Sequence, residues 1–324
     1  MKLTGILLLG ILNAGLTACE SRGAQGSGRP TTENLVEASP SARVEAAGVD
    51  ADFELRVIRF AWSPPGGDAA AYAMPEPEDQ HQIAIVGGAG TRNFPVVIAL
   101  HGQPKHGQNP RSYEFRQKVL DVTSDLVQKG EVEPLVLALP VFRFGGVNWP
   151  AFDLVAFRAK VEALLQKEGI VAGSVYVVGH SGAAGCGGDG LNHAHLMQPA
   201  AVGFFDTCIG PGFRDELRAL RRARVPTLIM HSVETAGVVP RRLREYDGKY
   251  DYGAVYAPAG LGPGECPKHL PDAPLRSQPY RCAADPDGIL RALIVDTGEG
   301  QKAHDAVVPV GVAYFLREYL PVAR

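Results

Sequence analysis

Apolar, β-branched runs that alternate with stretches of helical spacing predict an α/β protein: a mostly parallel central sheet with helices on both faces. Three observations carry that prediction. Runs such as Pro95 to Leu100 and Thr227 to His231 are hydrophobic almost throughout, as strands covered on both faces must be. The segments between them place apolar residues three and four apart, which puts them on one side of a helix. The 324 residues are 45% hydrophobic and 21% charged, an ordinary globular composition.

The elements follow in order. Phe53 to Val57 alternates like a half-buried strand, and Gln82 to Val86 and Pro95 to Leu100 supply two more. A helix is expected from about Ser112 to Gln128, then the strand Pro134 to Pro140. Ala151 to Lys167 has helical spacing in Leu154, Phe157, Val161, Leu164 and Leu165. The strand Ser174 to Val178, a helix after Gly182, and the strand Ala201 to Asp206 come next. A charged helix from Phe213 to Ala223 leads to the strand Thr227 to His231. Ala236 to Asp285 is rich in Pro, Gly and Tyr and longer than most connections, so it is expected to be a lid or insert. The strand Ile289 to Val295 and a helix from Asp305 to Tyr319 finish the chain. No internal repeat is visible, and residues 51–324 are expected to form one domain.

The net charge of −3 supplies no basic field for a phosphate backbone, so nucleic acid is excluded as the expected partner. One apolar stretch, Ile6 to Leu16 behind Lys2, is too short to span a bilayer and reads as an export signal covering residues 1–18. It ends in Leu16-Thr17-Ala18-Cys19, which resembles a bacterial lipoprotein signal. That resemblance implies lipidation at Cys19, anchorage in the cell envelope and, with Glu20 following, an outer-membrane destination. Residues 19–50 are small and polar, as in a flexible tether. Export leaves Cys186, Cys208, Cys266 and Cys282, an even number for an oxidising compartment. Cys266–Cys282 and Cys186–Cys208 are the favoured pairs among three connectivities. No zinc-ligand spacing is present, so no metal is expected.

The sharpest motif is Val178-Gly179-His180-Ser181-Gly182-Ala183, a serine among small residues where a strand ends. A tight turn there would lift the Ser181 hydroxyl above the sheet, and the helix expected next would aim its N–H groups at the same point. This resembles the nucleophile elbow of the α/β-hydrolase fold, departing from its pattern only where Ala183 replaces a glycine. Upstream, Val96 to Leu100 runs into His101-Gly102-Gln103, which resembles the oxyanion loop of such hydrolases. The match implies Gln103 N–H and Gly182 N–H as oxyanion donors, with His101 a buttress of the loop.

His304, in a Gly/Gln loop between the last strand and last helix, stands where these hydrolases place their base. Two acids are open: Asp206 at the end of its strand, preferred, and Glu234 beyond Thr227 to His231. His180 is expected to pack against the sheet edge, and His231 to lie in the core or behind the site. His193 and His195 read as solvent or packing residues, and Arg214, Arg218, Arg221, Arg222 and Arg224 as the solvated face of a helix.

The resemblance implies a membrane-anchored serine hydrolase that forms an acyl-enzyme on Ser181 and needs no organic cofactor or metal. A carboxylic ester, small-molecule, lipid or glycan, is the expected substrate. A serine peptidase and a non-catalytic binding lipoprotein are the alternatives.

Overall fold

Among the described residues, ten strands join in one sheet whose order, β1-β2-β3-β5-β4-β6-β7-β8-β10-β9, is fixed by nine pairings. The computed structural model describes residues 42–43, 53–67, 69–74, 76–88, 93–103, 114–143, 148–184, 188–208, 211–232, 281–284, 288–295, 297–298 and 300–320. All belong to one unit, Glu37–Arg324. The strands are β1 (Ala42–Arg43), β2 (Leu55–Phe60), β3 (His81–Val86), β4 (Asn93–Leu100), β5 (Leu135–Leu139), β6 (Val171–His180), β7 (Ala201–Phe205), β8 (Thr227–Ser232), β9 (Arg281–Ala284) and β10 (Leu290–Val295). The helices are α1 (Ala69–Tyr72), α2 (Phe115–Gln128), α3 (Leu154–Lys167), α4 (Pro211–Arg222) and α5 (Gly300–Tyr319).

Six neighbouring strands, β5 through β10 by way of β4, β6, β7 and β8, run parallel. Antiparallel pairings close both edges, with β1, β2 and β3 on one side and β9 on the other. The expected mostly parallel sheet, with helices on both faces, is therefore present.

Side-chain alternation divides each central strand between two cores. On β4, Phe94, Val96, Ile98 and Leu100 face the core that holds Phe157 of α3 and Phe213 and Leu217 of α4. Val97 and Ala99 face the other, with Phe115 and Val119 of α2 and Phe315 and Leu316 of α5. Helices thus cover both faces, which is why these strands read as unbroken apolar runs. The α3 helix starts where Asp153 accepts a hydrogen bond from Ala156 N at 2.9 Å, a side-chain N-cap.

Three local expectations change. No α-helix lies between the elbow and β7 among the described residues: Ser181–Ala183 is one 3₁₀ turn, and Gly190–Met197 is 3₁₀ with a kink at His193. Five glycines between positions 182 and 190 explain this, since each disfavours α-helix by about 1 kcal/mol relative to alanine. The closing helix begins at Gly300, so His304 lies in its second turn and not in a loop before it. Arg281–Ala284, at the end of the expected lid, is the edge strand β9, with Cys282 opposite Leu293. The rest of that expected lid, residues 236–280 and 285, and the signal segment around Cys19 lie outside the described residues. Ala42–Arg43, within the expected tether, pairs with β2.

Candidate active site

The order of strands reverses between β4 and β6: from β4 the sheet proceeds through β5 in one direction, from β6 through β7 in the other. Loops leaving the carboxyl ends of two such strands part to opposite sides and leave a crevice, the usual ligand site of an open parallel sheet. His101-Gly102-Gln103 leaves β4 there, and Ser181 leaves β6. Asp206 follows β7, His231 and Ser232 end β8, and His304 comes after β10.

Ser181 sits at φ +54° and Asp206 at φ +47°, both in the left-handed region that non-glycine residues rarely occupy. The two turns are tied together, since Cys208 N–H donates to Ser181 O at 3.0 Å and Asp206 N–H to Met230 O at 2.7 Å. Gly182 is required for a different reason. A Cβ there would lie 2.7 Å from Asn148 Nδ2 and 3.0 Å from Gln103 N. The structure therefore brings Gly182 and Gln103, the two expected oxyanion donors, to one point. The Gln103 N–H has no acceptor among the described residues.

Asp206 is 4% exposed and its carboxylate is surrounded by donors. Oδ1 accepts from Ser232 N and from His231 Nδ1, each at 3.1 Å. Oδ2 accepts from Ser232 Oγ at 3.2 Å and from His304 Nδ1 at 2.8 Å. A carboxylate can only accept, so the proton of His304 is on Nδ1 and Nε2 keeps its lone pair for a base's work. No hydrogen bond joins Ser181 Oγ to His304 among the described residues. In unliganded sites this bond is often long and tightens with substrate. Glu234, the other candidate acid, lies outside the described residues.

Sequence reasoning placed His180 at the sheet edge without a task. Its Nε2–H donates to the backbone oxygen of His304 at 3.1 Å, and the two rings are 4.3 Å apart. Burial, and then the neighbouring His304, lower its pKa to about 3, so it stays neutral. His101 is buried and stacked on Phe142, with ring centroids 5.0 Å apart, and its Nδ1 donates to Gly102 O at 2.6 Å. Burial holds its pKa at about 3, as suits a loop buttress. His195 packs against α4: Nδ1 meets Glu216 Oε2 at 2.5 Å, and its backbone N–H donates to Oε1 at 2.7 Å. Glu216 is the buried side of α4, and burial raises its pKa despite those bonds.

His180, His304 and Asp305 each bring one possible metal ligand within 4.8 Å of the others. One nitrogen of each ring is already committed to the hydrogen bonds above, and both histidines belong to the Asp206 cluster. Cys208 is disulfide-bonded. Cys186 and Cys266 lie outside the described residues, as does the side chain of Cys282. Asn148 carries no signal in the sequence, because an asparagine before a tryptophan in a loop belongs to no motif.

The chain matches no protein-family model and no curated protein sequence. Among solved structures it is similar to a ferulic acid esterase, with 12% identity over 83% of this chain and 100% of that one, TM-score 0.45. A mutant feruloyl esterase module from Clostridium thermocellum, complexed with sinapinate, shows 9% identity over 89% and 98%, TM-score 0.44. Carboxyl esterase 2 from the mycorrhizal fungus Tuber melanosporum shows 11% identity over 86% and 90%, TM-score 0.39. All three scores lie below 0.5, so the site's own atoms carry the functional reading.

Proposed function

We propose that the protein is a serine hydrolase that cleaves carboxylic esters through an acyl-enzyme on Ser181. The observation that carries this is the Asp206–His304 pair at 2.8 Å, set beside a serine held at φ +54° at the end of the neighbouring strand. Ser181 Oγ attacks the ester carbonyl while His304 Nε2 takes its proton. Gln103 N–H and Gly182 N–H stabilise the oxyanion, and His304 returns the proton to the departing alkoxide. Water then repeats the sequence on the acyl-enzyme. Asp206 keeps the imidazole in the Nδ1–H form and stabilises its cation. An ester is favoured over a peptide because an alkoxide needs less help to leave than an amine. Ser181→Ala, assayed on p-nitrophenyl esters of graded acyl length, should lose up to about 10⁶-fold in turnover. Undiminished hydrolysis by that variant would refute the assignment.

We further propose that the enzyme is carried on the cell envelope, in the outer membrane, by lipid on Cys19. The support is the Leu16-Thr17-Ala18-Cys19 sequence behind a short apolar segment. None of the described helices is long and apolar enough to cross a membrane. Fractionation of a Cys19→Ser variant tests the anchor. Release from the membrane pellet is expected, and retention after a salt wash would contradict it.

A further inference from the structure

We propose that the side-chain amide of Asn148 is a third donor to the oxyanion, beside Gln103 N–H and Gly182 N–H. The proposal rests on the ester-hydrolase reading above and deepens it. The space left by the missing Cβ of Gly182 is bordered by Asn148 Nδ2 at 2.7 Å and Gln103 N at 3.0 Å. Nitrogen donors on separate loops thus converge on the point where the elbow's backbone is barest. Asn148 is only 4% exposed, and its Oδ1 is buried without a partner among the described residues. An amide oxygen sealed off in that way is unfavourable. The amide gains nothing from its oxygen in this position, and its nitrogen end is the one turned to Gly182 and Gln103.

The loop that carries Asn148 is built to hold it still. Trp149 is buried at φ +50°, and Ala151 stands at φ +51°, two strained residues in one short turn. Trp149 Nε1–H donates to His101 O at 3.0 Å, which ties the turn to the loop of Gln103. Asp189 N–H donates to Trp149 O at 3.2 Å, which ties it to the segment after the elbow. A Cβ on Gly188 would fall 1.5 Å from Asn148 O, so glycine there lets the two loops close on each other. The amide is therefore held beside the Gly182 backbone, on the side where Gln103 N also lies, before any substrate arrives. A donor fixed in advance stabilises developing charge without reorganising, and that is the condition under which it acts on the transition state.

The test compares Asn148→Ala and the isosteric Asn148→Asp with the native enzyme on p-nitrophenyl acetate. Binding of a trifluoromethyl ketone, which becomes an oxyanion when Ser181 adds to it, is measured alongside. We expect Asn148→Ala to lower kcat about 10²-fold to 10³-fold with KM little changed. Affinity for the ketone should fall in step, and Asn148→Asp should fall further because its carboxylate repels the oxyanion. If Asn148→Ala unfolds, the isosteric Asn148→Asp decides alone. A kcat within threefold of native, a loss confined to KM, or unchanged ketone affinity would overturn the proposal. Phosphonate labelling of Ser181 in the same variants separates the two failures. Labelling with unchanged kcat removes only Asn148, whereas native protein that neither labels nor turns over ester removes the whole reading.

Discussion

His180 Nε2 is hydrogen-bonded to the backbone oxygen of His304 at 3.1 Å, so the residue before the candidate nucleophile holds the main chain of the candidate base. The tie spans 124 positions in sequence and fixes the first turns of α5 against the end of β6. Phe115 lies parallel to the His180 ring at 6.1 Å and keeps it from turning away. His180→Leu removes the donor and lets His304 shift. Misplacement by about 1 Å can lower turnover about 10²-fold. His180→Gln, which can still donate, should recover part of the rate. Equal rates for native and Leu variants would show that α5 needs no such tie.

Asp206→Asn should lower kcat about 10⁴-fold and leave the fold intact. Asparagine tolerates the left-handed backbone that Asp206 adopts, so the turn survives. Its amide, however, can present an N–H to His304 and favour the wrong tautomer. Steady-state kinetics with a melting curve checks both halves. A loss under tenfold in a folded variant would return the acid's role to Glu234.

Three buried histidines should weaken the fold as the pH falls. Burial lowers the pKa of His81 to about 4 and of His101 and His180 to about 3. His81 shows why: Nε2–H donates to Trp62 O at 2.9 Å, while Nδ1 accepts from Val141 N–H at 3.1 Å, and only a neutral ring can do both. Below pH 6.5 the unfolded chain takes up these protons and the folded one does not, so stability falls as pH falls toward the folded values. Each histidine then removes about 1.4 kcal/mol per pH unit, or about 2 kcal/mol by pH 5. Urea denaturation at pH 7.5 and pH 5 should show a lower midpoint at pH 5. Matching midpoints would mean that these rings are charged, or solvated, in the folded protein.

Much of this was legible before the structure. The apolar runs marked β4, β5, β7 and β8 because both faces of those strands are covered. Ser181 and Gln103 were legible because tight turns demand small neighbours at fixed offsets, and Asp206 because it ends its strand. The missing helix after the elbow was not foreseen. A helix is expected there from the fold class alone, against the low helix propensity of the glycine-rich stretch. The edge strand β9 is four residues long and carries no pattern of its own. Asn148 and His180 act through contacts across 34 and 124 positions, which local sequence cannot show.

Labelling with a fluorophosphonate tests the central claim most directly, because the reagent reacts only with a serine that a neighbouring base has activated. The account predicts one phosphonyl group per protein, found by peptide mapping on Ser181, with labelling lost in Ser181→Ala and strongly slowed in His304→Ala. Label on a different residue, or ester turnover that persists in protein that never labels, would contradict it.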